Sequence, residues 1–239
     1  MRLITLTQIT GSEDMFDGYI ETQTESPDMI SKTFPVSGFN CVSIFNTYGI
    51  EAELTIGSNV QTISLIRDSV KDWWDYWFSP SRIGRDCVFY FPTQPAGVSA
   101  TLKIKYPAGT AKCGLCVTGV AQELMHTKNG VTVGISDYSR YTTNAFGNTE
   151  LLPGSWAKRI NAELVGRTEL FPITSRAIIK NRARACIFDY NQYDSDLTMF
   201  HTSQDKFSCL VLYGFTEDFR PSVRSYGFVT ARHEAQGLI

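Results

Sequence analysis

The stretch TFPVSGFNCVSIFNTYGIEAELTIG, residues 33–57, decides the fold class. Its apolar residues, rich in Val, Ile and Phe, alternate with polar ones or fall in short runs, and Gly and Asn punctuate them. That pattern predicts strand after strand. VQTISLIRD (60–68), DCVFYFP (86–92) and ATLKIKYP (100–107) continue it, with turns expected at Ser-Pro, at TQPAG and at YPAGT. Short strands about ten residues apart imply a sandwich or jelly roll.

The texture changes beyond residue 121. RINAELVG (159–166) reads as a strand, and TELFPITSRAIIKNRARA (168–185) places Leu170, Ile173, Ala177 and Ile178 at helical spacing. CIFDYN, FSCLVLYGF and SVRSYGFVTARHEA give three more strands. The expected architecture is mainly β: an N-terminal jelly-roll-like β-sandwich over residues 1–125, followed by a smaller α+β domain over residues 126–239. The boundary is expected in the polar stretch HTKNGVTVG (126–134).

Composition excludes several function classes. The 22 Lys and Arg against 24 Asp and Glu leave a net charge of −2, without the basic stripe of a non-specific nucleic-acid binder. No apolar run approaches the ~18 residues that cross a bilayer, so no membrane insertion is expected. Charged residues make up 19% of the chain, below the usual quarter, which again favours a β-rich protein. The 6 cysteines are scattered, far sparser than a disulfide scaffold, and read as reduced thiols of a protein made in a cytosol.

Two of them, Cys113 and Cys116, form a C-x-x-C in TAKCGLCVTGV (110–120). In a strand, alternation sends Cys113, Leu115 and Val117 one way and Lys112, Cys116 and Thr118 the other, so the sulfurs cannot share a metal or a bond. No second ligand pair accompanies them, and a redox motif belongs at a helix N-terminus. They read as core packing.

The aromatic run DWWDYWFSP (72–80) is the most unusual composition in the chain. As a strand it presents Trp73, Asp75 and Trp77 on one face and Trp74, Tyr76 and Phe78 on the other. Trp73, Trp74, Tyr76 and Trp77 are therefore candidate contact residues, in packing or at an interface; rings beside acids also suit sugar stacking. A second candidate is the long segment DYSRYTTNAFGNTELLPGSW (137–156), in which Arg140, Tyr141, Phe146 and Trp156 would make a docking arm.

Catalytic patterns are thin. SDYSR (136–140) with His126 could be drawn as nucleophile and base, but no positioning elbow is present. DYNQYDSD (189–196) loosely resembles a calcium loop but lacks its Gly and terminal Glu, and GSEDMFDG (11–18) could hold a calcium ion but reads as a solvated acidic loop. No enzyme activity, metal or cofactor is expected.

Several phrases, in order, resemble a family of tail-associated proteins of tailed bacteriophages and prophages: MFDGYIETQT (15–24), NCVSIFNTYGIEAELTI (40–56), DWWDYWFSP (72–80), GTAKCGLCVTGV (109–120), GISDYSRYTTNAFGNTELLPGSWAKRINAEL (134–164) and the closing YGFVTARHEAQGLI. The resemblance covers nearly the whole chain. It implies a structural protein of the virion tail, synthesised in the host cytoplasm, that assembles with other tail or baseplate proteins and anchors fibres or spikes. It also implies several copies in a symmetric ring. Some members carry a sugar-binding module ahead of the MFDG segment; only fourteen residues precede Met15 here, so that module is not expected. The alternative reading is a carbohydrate-binding module that recognises a host surface glycan.

Overall fold

The computed structural model describes residues 1–66, 86–128, 130–143, 146–191, 208–223 and 227–238. The fold is mainly β, with antiparallel pairing between its named strands and one short α-helix among the described residues. The chain divides into two compact units: Leu6–Ala121, and Gln122–Ile239 joined by Met1–Thr5.

In the first unit, β2 (Thr24–Pro35), β3 (Cys41–Tyr48), β4 (Glu51–Ile56), β5 (Asn59–Ser64) and β6 (Cys87–Tyr90) are organised by β7 (Ser99–Glu123). β2 pairs with β7 along one edge, from Pro35 opposite Ser99 to Thr24 opposite Cys113. Along the other edge β7 pairs first with β4, Ile56 opposite Ala100 to Glu51 opposite Lys105, and then with β3, Tyr48 opposite Lys112 to Cys41 opposite Gly119. One strand thus serves β2, β4 and β3 along its length. The turn expected at YPAGT is not made. Residues 106–109 instead bulge out opposite Asp28, whose φ of 59° lies in the left-handed region, and the strand runs on.

Alternation then sorts the faces. Ile30 and Phe34 of β2, Ala52 and Leu54 of β4, and Leu102 and Ile104 of β7 turn into one apolar core, joined by Val42, Ile44, Cys87 and Phe89. On the opposite face Lys103 and Lys105 bind Glu53 at 3.1 and 2.6 Å, and Lys105 also binds Glu51 at 2.9 Å. The segment before residue 33 contributes β2 and also β1 (Arg2–Gln8). Its threonines alternate with apolar residues, which a strand accommodates as well as a loop does.

In the second unit, β12 (Trp156–Arg167), β13 (Cys186–Asp189), β14 (Val211–Val223) and β15 (Phe228–Gly237) form the sheet order β13-β14-β15-β12. Residues 2–5 of β1 pair with β13, Leu3 opposite Phe188. The far edge of β12 receives β8 (His126–Thr127) and β9 (Thr132–Asp137). HTKNGVTVG is thus largely strand-paired, because its Thr and Val residues complete the β12 edge. Ile160, Ala162, Leu164, Phe188, Leu212, Val229, Ala231 and Ala235 make the core.

The helix expected over 168–185 is a 3-10 turn (Thr168–Leu170) leading into α1 (Phe171–Lys180). Thr174, Ala177 and Ile178 are its buried line, whereas Ile173 is exposed. The Asn181 side chain donates to the Ala177 carbonyl at 2.9 Å and ends the helix before the Arg-rich tail. No helix among the described residues is long and apolar enough to cross a membrane.

Candidate functional site

The candidate site grows from β9 and the start of β12. Their register sets Val133 opposite Ile160, Ile135 opposite Lys158 and Asp137 opposite Trp156. Residues directly opposite share a face, so Trp156, Val133 and Ile135 continue the apolar face that Leu164, Ala162 and Ile160 bury in the core. The cover stops before the sheet does. Ile160 is wholly buried, while Ile135 is 68% and Trp156 58% exposed.

Beyond Asp137 the chain forms a hairpin of β10 (Arg140–Thr143) and β11 (Thr149–Leu152). Tyr141 stands opposite Leu151 and Thr143 opposite Thr149, whose hydroxyls lie 3.2 Å apart. Every residue of both strands is exposed on both faces. Tyr141 is 75% and Leu151 70% exposed, and Phe146 at the tip 91%. A two-stranded hairpin is marginal alone in water, since a cross-strand pair returns only about 0.2–1 kcal/mol.

The base of the hairpin is nevertheless well fixed. The Ser139 amide donates to Asp137 Oδ1 at 2.9 Å, and the Gly154 amide donates to the Ser139 hydroxyl at 3.0 Å. Hydrogen bonds from the Ser139 hydroxyl and amide hold the Asp137 carboxyl below its ordinary value. The Tyr138 amide donates to the Ser155 carbonyl at 3.0 Å, and Gln236 Nε2 donates to the Tyr138 hydroxyl. Gly154 is required by close approach: a Cβ there would sit 2.5 Å from the Tyr138 carbonyl oxygen. The arm is anchored at its root and uncovered along its length.

Of the 17 large apolar side chains exposed among the described residues, 8 fall between Val133 and Trp156. That concentration distinguishes the arm from scattered surface hydrophobics. Arg140, Tyr141, Phe146 and Trp156 all lie on it and are exposed. Val133, Ile135, Leu151 and Leu152 join them; the alternation of Val133 and Ile135 was the available signal, masked because the stretch reads as a polar boundary. Trp73, Trp74, Tyr76 and Trp77 lie outside the described residues.

The other candidates resolve differently. Ser139 lies two residues past Asp137, which pairs with Trp156, whereas His126 pairs with Val165, nine residues or about 30 Å further along β12. They are not brought together. In GSEDMFDG, Glu13 binds Lys32 at 2.7 Å and Asp17 accepts from the Tyr19 amide and Thr22 hydroxyl, each at 2.7 Å. Those carboxylates hold local structure. In DYNQYDSD, Asp189 accepts from Asn191, and residues 192–196 lie outside the described ones. Among the described residues no three His, Cys, Asp or Glu side chains group as a metal site.

Cys113 and Cys116 are both free and fully buried, but strict alternation is not kept between them. Both enter the same apolar core. The change occurs at Gly114, opposite Asn46, whose φ of 50° takes β3 out of the two-residue repeat. The Asn46 side chain donates to the Ile20 carbonyl at 2.9 Å, and a Cβ on Gly114 would lie 2.4 Å from that same oxygen. Burial pushes the Cys113 thiol up to about 12 and Cys116 well above its ordinary value, so neither is a reactive thiolate.

A buried polar relay completes the second unit. Tyr190 Oη and His233 Nδ1 share a hydrogen bond of 2.7 Å, and His233 Nε2 meets the Thr216 hydroxyl at 3.1 Å. Phe188 and Phe219 pack around the imidazole. Burial, helped by the amino-terminal charge and opposed by Asp218, lowers His233 to about 3. The relay is neutral and satisfied at both ring nitrogens, an interior clasp.

Comparison with protein families, characterised proteins and solved structures finds no match to this chain.

Proposed function

We propose that this chain is a structural component of a phage tail, assembling with other tail or baseplate proteins and anchoring fibres or spikes. In this reading residues 1–125 form a jelly-roll-like β-sandwich and residues 126–239 an α+β domain. The chain works by non-covalent contact, without catalysis or cofactor, in several copies arranged around a symmetry axis in the virion. The resemblance of its ordered phrases to tail-associated proteins gives the class.

The observation that carries the reading is the arm from Val133 to Trp156, with its anchored root and two uncovered faces. Removing one such side chain from water contributes about 1.5–3 kcal/mol. The exposed fractions of Tyr138, Tyr141, Phe146 and Trp156 amount to nearly three whole aromatic side chains, or about 500 Å². That is over half of the ~800 Å² each partner gives to an ordinary stable interface. Symmetry multiplies such contacts, so that modest single affinities hold a ring.

The assembled tail tests this. The arm is expected beneath a neighbouring tail protein, with Tyr141 and Phe146 buried. A tail particle in which residues 138–156 face solvent on every copy overturns the reading.

A further inference from the structure

A second surface of the same unit has a different chemistry. On the solvent face of β14 and β15, Arg220 stands directly opposite Arg232, and the next pair on that face is Ser222 opposite Thr230. Like charges opposite one another in a ladder repel, so this pair requires compensation. Carboxylates supply it along β14 and β15 from one end and, through Glu163 opposite Arg232 on β12, across the ladder. Asp218 lies 2.5 Å from Arg220 Nε, and Glu234 lies 2.7 Å from Arg232 Nη2; Arg232 Nε also donates to Asn161 Oδ1 at 3.2 Å. On the other side are the uncharged hydroxyls of Ser222 and Thr230.

The two guanidinium forks are therefore held from behind. Both arginines line a concavity of about 340 Å³, together with Ser222, Thr230, Asn161 and Thr132. One acid, Glu163, reaches it, and Lys128 takes both Glu163 oxygens at 3.3 Å. Among the described residues the concavity thus contains two arginines, hydroxyl and amide groups, and one acid, Glu163, which is paired with Lys128.

We propose that this groove binds a small oxyanion-bearing, hydroxyl-rich molecule, of the class of a sugar acid or sugar phosphate. Paired guanidiniums match carboxylate and phosphate oxygens bidentately. Ser222, Thr230 and Asn161 supply the mixed donors and acceptors that hydroxyl groups need. The site lies on the opposite face of β9 and β12 from Val133, Ile135 and Trp156 and does not rest on the assembly reading.

The test is titration of the isotope-labelled full chain, followed by backbone amide shifts, with glucuronate, inorganic phosphate and glucose as probes. Glucuronate is expected to bind at millimolar concentration and move the amides of Ser222, Thr230 and Arg232, while glucose does not. Arg220→Gln and Arg232→Gln each weaken binding about tenfold. Arg220→Lys, which keeps the charge and loses the fork, weakens it as well, and unchanged melting temperatures show that the variants fold. Glucuronate binding more tightly than phosphate identifies a carried oxyanion, and equal affinity identifies the free one; either supports the site. Groove amides unmoved by both anions, or Gln variants that bind like the parent, overturn it.

Discussion

Tyr141 and Leu151 face each other directly across β10 and β11, and both remain largely in water. A pair that would ordinarily sit over a core instead marks a surface awaiting cover. Replacing both by Ser is expected to change the stability of the isolated chain by less than about 1 kcal/mol, since little burial is lost. On the proposed assembly role, incorporation into tail particles should be abolished. Urea unfolding and particle co-sedimentation read the two effects separately, and a double variant that assembles normally removes the arm from the contact.

His233 makes stability depend on pH in a definite direction. Its folded value is about 3, and the unfolded value is about 6.5. Between these the unfolded chain holds a proton that the folded chain does not, so stability is full above about pH 6.5 and falls with acid by about 1.4 kcal/mol per pH unit. Urea melts between about pH 4 and pH 7 measure the slope. His233→Gln should flatten it; an unchanged slope assigns the effect to other groups.

Tyr190→Phe removes the partner of His233 Nδ1 without changing the packing volume greatly. The orphaned nitrogen should cost about 1–3 kcal/mol in the folding equilibrium. A loss well below that range means the ring turns to another partner.

Gly114→Ala tests the break in alternation. A Cβ there meets the Ile20 carbonyl at 2.4 Å, backbone that cannot yield like a flexible side chain. Destabilisation of about 1–3 kcal/mol is expected by chemical denaturation. A neutral effect would show that β3 and β7 can separate at this point.

The thiols should react in an order set by burial. Cys209 is the half-buried one of the six, and the other five are buried. In the native protein Cys209 is expected to alkylate first, with Cys113 and Cys116 protected until unfolding. Mass spectrometry of time points checks this; early modification of Cys113 contradicts the core assignment.

Much of the first unit was legible because its strands obey the two-residue repeat. Ala52, Leu54 and Ile56 face the core while Glu51, Glu53 and Thr55 do not, and that pattern is visible in EAELTI itself. β12 was legible for the same reason. The repeat fails where a long-range partner changes the backbone: Asn46 and Asp28 take left-handed conformations that ordinary Asn and Asp codes do not announce. β7 hid its length because YPAGT carries genuine turn residues, which here form a bulge. The arm was legible as an exposed aromatic segment, but its hairpin and the uncovered Val133 and Ile135 depend on the β12 edge, which is remote in sequence.

The pairing of β1 with β13 sets an order of events during synthesis. Leu3 emerges from the ribosome first, yet its partner Phe188 is made near the end. At about 5–20 residues per second the amino-terminal strand waits roughly 10–40 s for its neighbour. The second unit is therefore closed by its oldest residues. A fluorophore near Leu3 would report completion of that unit only late in translation, however early residues 6–121 have condensed.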